Sequence, residues 1–164
     1  MVKRANRNLL LLAIIAIALV AAVLWVGRRE YLRHPPTLTA LDPHAVTRID
    51  LDIPAIASQA FERRADGWWR VKPSEARGDD TRVQRLARLA ATPTARWIPL
   101  PNITLSKVGL DHPSATLVLN GTRLEYGGLT AIDDLRYVRV GDQVALVPRQ
   151  YSPEAMLTQH DAPQ

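Results

Sequence analysis

Leu9 to Val26 is a run of eighteen residues, LLLLAIIAIALVAAVLWV, with no charge, polar side chain, Gly or Pro. At about 1.5 Å per residue such a run makes a helix of roughly 27 Å, close to the hydrocarbon thickness of a bilayer. A helix on a soluble core shows a polar face every third or fourth position, whereas this run is apolar all round. The sequence therefore predicts a transmembrane helix, with the lipid bilayer as its partner through Leu9 to Val26.

A cleavable signal has a shorter apolar segment followed by a small-x-small site. Ala16-Ile17-Ala18 has that form but lies inside the run, and Gly27-Arg28-Arg29-Glu30 after it is a charged stop. An uncleaved signal anchor is the better reading. Trp25 and Tyr31 suit the membrane–water interface. Lys3, Arg4 and Arg7 before the run balance Arg28, Arg29 and Arg33 after it. Orientation then rests on the short basic head before a long apolar run, which puts the N-terminus in the cytoplasm and the rest in the periplasm. The resulting expectation is a single-pass protein of the inner cell membrane.

The net charge of +5 splits unevenly along the chain. Residues 1–33 hold six Lys/Arg and one Glu, whereas residues 34–164 hold fifteen basic and fifteen acidic residues and are neutral. The folded part has no electrostatic reason to seek phosphate backbones, so no nucleic-acid partner is expected. With no Cys, disulfides and thiolate chemistry are excluded.

Beyond the apolar run, His34-Pro35-Pro36-Thr37 reads as an extended stalk. Thr47 to Ile53 alternates Ile49, Leu51 and Ile53 with Asp50 and Asp52, the period of a strand with one buried face. Ala60–Ala65 and Trp68–Lys72 flank Asp66-Gly67, a dipeptide suited to a type I′ turn. Counting from that turn puts Trp69 and Val71 inside and Trp68, Arg70 and Lys72 outside. Asp79 or Asp80 offers an N-cap, and Val83, Leu86, Ala87 and Ala90 recur at helical spacing until Pro93. Arg82, Arg85 and Arg88 line the opposite face; the ordinary explanation is a solvated face balanced by Asp79 and Asp80, the functional one a grip on an anionic headgroup or partner.

Trp97 to Pro101 reads as extended, and Ile103 to Val108 as one helical turn before Gly109. Ala115–Leu119 and Thr122–Tyr126 are joined by Asn120-Gly121, and Tyr137–Val140 and Gln143–Val147 by Gly141-Asp142. A last short helix starts at Ser152, with Pro153 at its first position. Both halves run strands, a turn, more strands and a short helix, which suggests a ββαβ-type duplication that residue identity is too low to establish. The predicted class is α+β: one N-terminal transmembrane helix, then a small domain of antiparallel β-hairpins packed with two or three short helices. Its divisions are a basic cytoplasmic head (1–8), the transmembrane helix (9–26), a juxtamembrane stalk (27–44), the α+β domain (45–157) and a disordered tail (158–164).

Chemistry is sparse. His34, His44, His112 and His160 are scattered, and Asp42-Pro43-His44 and Asp111-His112 fall short of the three or four converging donors that a metal needs. Gly109 and Gly127-Gly128 lack the spaced glycines and Lys of a phosphate loop, and no G-x-S-x-G elbow occurs. Asp133-Asp134 reads as a solvated turn rather than an acid–base or cation site. Asn102-Ile103-Thr104 and Asn120-Gly121-Thr122 match the glycosylation pattern, the second better explained as a turn. No catalytic, metal or cofactor-binding residue is assigned, and no cofactor is expected.

Taken in order, Gly67-x-Trp69-x-Val71-x-Pro73, the Asp79-x-x-x-Val83 helix start, Gly109-Leu110-Asp111-x-Pro113, Gly127 and Tyr137-Val138 resemble the bacterial family called domain of unknown function 4340, over about residues 45–157. That resemblance implies an anchored envelope protein, in some members linked to accessory parts of ABC transporters of the gliding-motility type, and it brings no catalytic residues. The functional expectation is a single-pass, membrane-anchored, non-enzymatic accessory or interaction protein of the bacterial cell envelope, with an ABC transporter subunit as a candidate partner. The alternative is an envelope module that binds a lipid or glycan, and last comes a hydrolase.

Overall fold

Alternating apolar residues become a single sheet here. The structure, a computed structural model, describes residues 16–22, 36–54 and 56–158. Nine strands form one antiparallel sheet: β1 (Arg48–Ile53), β2 (Ile56–Arg64), β3 (Gly67–Lys72), β4 (Ala76–Arg77), β5 (Arg96–Pro99), β6 (Ala115–Leu119), β7 (Thr122–Leu129), β8 (Leu135–Val140) and β9 (Gln143–Pro148). Their spatial order is β4-β3-β2-β1-β6-β7-β8-β9-β5, so every neighbour but β1–β6 and β9–β5 is also a neighbour in sequence. The helices are short: α1 (Asp80–Arg88), α2 (Pro153–Thr158) and a few 3₁₀ turns. The predicted α+β class of separate hairpins is thus corrected to a mostly β domain. Local turn signals mark the hairpins, but they carry nothing about the β1–β6 pairing (Ile49 with Leu119, Leu51 with Leu117) that fuses them into one sheet.

The membrane expectation is corrected too. Among the described residues no helix is long and apolar enough to cross a membrane. Of the run 9–26, residues 16–22 are described and are helical. The rest of the run lies outside the described residues, as do the basic head and residues 159–164. The transmembrane, signal-anchor, inner-membrane and periplasmic assignments, which all rested on that span, fall with it.

The chain divides into two units, Met1–Pro36 and Thr37–Gln164. Residues 37–44, expected in the stalk, belong to the second. Leu38 is buried, its N–H donates to the Thr92 carbonyl at 2.8 Å, and the Thr39 N–H donates to that of Ala90 at 3.0 Å. One sheet face carries the main core: Ile49, Leu51 and Ile53 of β1, Leu117 and Leu119 of β6, Leu124 and Tyr126 of β7 and Val138 of β8, against Val83, Leu86 and Ala87 of α1 and the following Leu89 and Ala90. Asp79 is the N-cap of α1, its Oδ1 accepting from the Thr81 N–H at 2.9 Å and the Arg82 N–H at 3.1 Å. A second cluster joins Val108 and Leu110 to Val144, with Leu100, Ile103, Leu105 and Tyr137 around it. The 3₁₀ turns Leu100–Asn102 and Leu105–Val108 supply its outer layer.

Two hairpin turns match their dipeptides. Leu119 pairs with Thr122 around Asn120 (φ 47°) and Gly121 (φ 87°), and Val140 pairs with Gln143 around Gly141-Asp142. The Asn120 side chain also ties this turn to β1, accepting from the Thr47 and Arg48 N–H groups at 2.9 and 3.0 Å and donating to the Ala45 carbonyl at 3.0 Å. The third turn is displaced by one residue. Arg64 pairs with Gly67, so the turn residues are Ala65 and Asp66 and Gly67 opens β3 at φ 123°. This inverts the predicted faces: Trp68 is 2% exposed and belongs to the core, while Trp69 and Val71 are half-buried. Gly67 bears on the outcome, because a Cβ there would lie 2.7 Å from the Asp80 carboxylate oxygens. That same carboxylate accepts the Trp68 N–H at 2.6 Å.

The central β1–β6 pair also relates the two halves. β1-β2-β3-β4 and β6-β7-β8-β9 are each four-stranded meanders that run outward from it, and each is followed by a helix. The repeating unit is a meander followed by a helix, in place of the ββαβ order read from sequence. Trp68 and Arg136 are both the second residue of a six-residue third strand.

A candidate anion-binding cleft

Between the start of β3 and the exposed side of α1 lies a cleft of about 470 Å³. Arg63 enters it from the end of β2, Trp68 forms its floor, and α1 contributes Asp80, Gln84, Arg85 and Arg88. Arg63 is positioned by a hydrogen bond from Nη1 to the His44 carbonyl at 2.9 Å, with its guanidinium 6.0 Å from the Trp68 ring centre. Gln84 braces the wall, donating from Nε2 to the Pro43 carbonyl at 3.2 Å. Asp80 is already engaged, with one oxygen on the Trp68 N–H and the other on Arg77 Nη2 at 2.8 Å.

Three arginines converge on this cleft. Arg48, Arg64, Arg77, Arg123, Arg136, Arg139 and Arg149 each meet a carboxylate. Among the described residues Arg63, Arg85 and Arg88 meet none, nor do Arg70, Arg82 and Arg96, and the Nε of Arg85 is buried without a hydrogen-bond partner. The sequence reading had grouped Arg82 with Arg85 and Arg88. At 100° per residue, however, Arg82 and Arg88 diverge by roughly 120° around the helix. Arg82 instead lines a separate hollow with Phe61 and Arg70. Arg63 was missed because only the β2–β3 pairing brings it to α1, and no local signal at Arg63 marks that.

The second half has a charge cluster of its own, and its charges are met internally. Arg136, 12% exposed, donates from Nη1 to Ser114 Oγ at 2.7 Å and pairs with Glu154 of α2 at 3.2 Å. It borders a depression of about 550 Å³ with Asp134 and Arg149, which pair at 3.6 Å. Asp133 and Asp134 are exposed on the β7–β8 turn, Asp134 at φ 50°. Near this network the Tyr126 hydroxyl is buried without a hydrogen-bond partner, and burial pushes its pKa upward, opposed in part by the charge of Arg136. A raised phenol pKa adds stability that is fully present below the ordinary value of about 10 and is lost as pH rises above it. Tyr126→Phe is therefore expected to leave the melting temperature at pH 7 unchanged or higher, since an unpaired hydroxyl is removed. It should also flatten the fall in melting temperature above pH 10; a loss of more than about 1 kcal/mol at neutral pH would mean the hydroxyl is bonded.

The other sequence candidates do not converge. The exposed His44 donates its backbone N–H to Asp42 Oδ1 at 2.8 Å, and the exposed His112 likewise to Asp111 Oδ1 at 3.0 Å, both local turn contacts. His34 and His160 lie outside the described residues. No group of three or more His, Asp or Glu that could hold a metal occurs among the described residues. Asn120 of the second glycosylation pattern is engaged in its turn, while Asn102 is exposed. The residues carrying the family resemblance are structural here: Asp79 caps α1, Val83 and Val138 are core, and Gly109 (φ 68°) ends a 3₁₀ turn.

No family model matches the chain, and neither the curated proteins nor the solved structures contain a match to it.

Proposed function

We propose that this protein is a non-enzymatic accessory or interaction module that holds its partner through the arginine cleft. The observation behind this reading is that three arginines, Arg63, Arg85 and Arg88, converge on one cleft and none of them pairs with a carboxylate among the described residues, its single carboxylate, Asp80, being engaged by Arg77 and the Trp68 N–H. Guanidinium groups supply planar, bidentate recognition of anionic groups and are enriched where proteins meet. A lipid or glycan binder would call for a deep apolar pocket, and this cleft is shallow and lined by charge.

A photo-crosslinking residue placed at Thr81, on the rim of the cleft, tests this reading in the cells that make the protein. A discrete protein adduct is expected at Thr81 and not at Asp52, which is exposed on the far face of the sheet. Arg85→Ala should abolish it. Equal adducts at both positions, or none at Thr81, would overturn the reading.

A further inference from the structure

Resting on that reading of the cleft, we infer that its ligand is a carboxylate-rich protein segment rather than a phosphate group. The second half supplies the first argument. Near the start of β8, Arg136 is met by a carboxylate, Glu154, carried on the first turn of the helix that follows. In the first half the helix presents Arg85 and Arg88 instead, and its one acidic group in the cleft, Asp80, is spent on Arg77 and the Trp68 N–H. Arg63, Arg85 and Arg88 are thus left open to a carboxylate from outside.

Phosphate sites commonly combine basic side chains with free N–H groups at a helix N-terminus. Here the N–H groups of Thr81 and Arg82 are occupied by Asp79 Oδ1, and that of Val83 by the Asp79 carbonyl at 2.9 Å. A ligand can reach the guanidinium groups but not these N–H groups. Three arginines on two elements, around some 470 Å³, match several carboxylates spaced along an extended acidic segment better than one small anion.

The test titrates the full chain with an octaglutamate peptide, following the Nε–H signal of Arg85 and the indole N–H signal of Trp68 by NMR. Inorganic phosphate, a phosphoserine peptide and phosphatidylglycerol vesicles are the comparison probes. Octaglutamate is expected to shift both signals, to bind at least tenfold tighter than phosphate or the phosphopeptide, and to weaken as salt rises. Arg85→Ala and Arg88→Ala should each weaken it about tenfold. Arg82→Ala, whose side chain lines the neighbouring hollow with Phe61 and Arg70, should not, and all three variants should keep the parent melting temperature within a few degrees. Tighter binding of phosphate, phosphopeptide or vesicles overturns the inference, as does octaglutamate binding indifferent to Arg85 and Arg88. A Thr81 adduct with no octaglutamate binding removes the carboxylate assignment and leaves the interaction reading standing; loss of the adduct as well removes both.

Discussion

Replacing Trp68 by alanine is expected to destabilise the domain by about 3–5 kcal/mol, the usual cost of truncating a fully buried aromatic residue. The side chain is 2% exposed and lies in the main core. Its backbone is also a junction, with the N–H donating to Asp80 Oδ1 at 2.6 Å and the carbonyl accepting from the Gly78 N–H at 2.8 Å. Trp69, one residue on, points the other way. Its indole N–H donates to Asp66 Oδ1 at 2.9 Å and its ring sits 4.8 Å from the Arg64 guanidinium, both near the surface. That indole contact is the main reason the Asp66 carboxyl is held below the ordinary range; burial works against it, while the charges of Arg77 and Arg64 add to it. Trp69→Ala should cost about 1 kcal/mol, the scale of an exposed cation–π contact and one hydrogen bond. At about 4 °C per kcal/mol, thermal melts of the full chain should separate the two variants by roughly 10 °C. Equal losses, or the larger one at Trp69, would place the turn at Asp66-Gly67 and reverse both faces of β3.

Gly127→Ala should be nearly as damaging, for a different reason. A Cβ at Gly127 would stand 2.5 Å from the Val108 carbonyl oxygen and 2.9 Å from Leu110 Cγ. The first contact is to backbone, which cannot swing aside as a long side chain can. Accommodating the methyl group requires the Leu105–Val108 turn to lift from β7, and forced overpacking of this kind costs about 1–3 kcal/mol or more. Val108 and Leu110 anchor the second cluster on Val144, so the damage should begin there. Hydrogen exchange should speed up first at the Leu110 N–H, which donates to the Leu105 carbonyl at 2.9 Å. Gly128→Ala meets the same Val108 oxygen at 3.3 Å and should cost less than half as much. Similar melting temperatures for the two variants would show that the turn yields freely.

Short-range signals in the sequence determined much of this protein. The alternation Ile49, Leu51, Ile53 set the inner face of β1, Asn120-Gly121 and Gly141-Asp142 set two turns, and Asp79 with Val83, Leu86 and Ala87 set the start and buried side of α1. Each depends on residues a few positions apart, through φ preference, a local hydrogen bond or the period of an element. The tertiary structure decided the rest. It placed β1 beside β6 and so converted separate hairpins into one nine-stranded sheet, and it sent β5 to pair with β9 at the far edge. It moved the β2–β3 turn back by one residue, with the Asp80 carboxylate, twelve positions on, taking the Trp68 N–H and putting Trp68 rather than Trp69 inside. It also separated Arg82 from Arg85 and Arg88 and gave them Arg63 instead. Strand pairing and the grouping of charges depend on free energies shared between segments distant in the chain, and neither segment carries them alone.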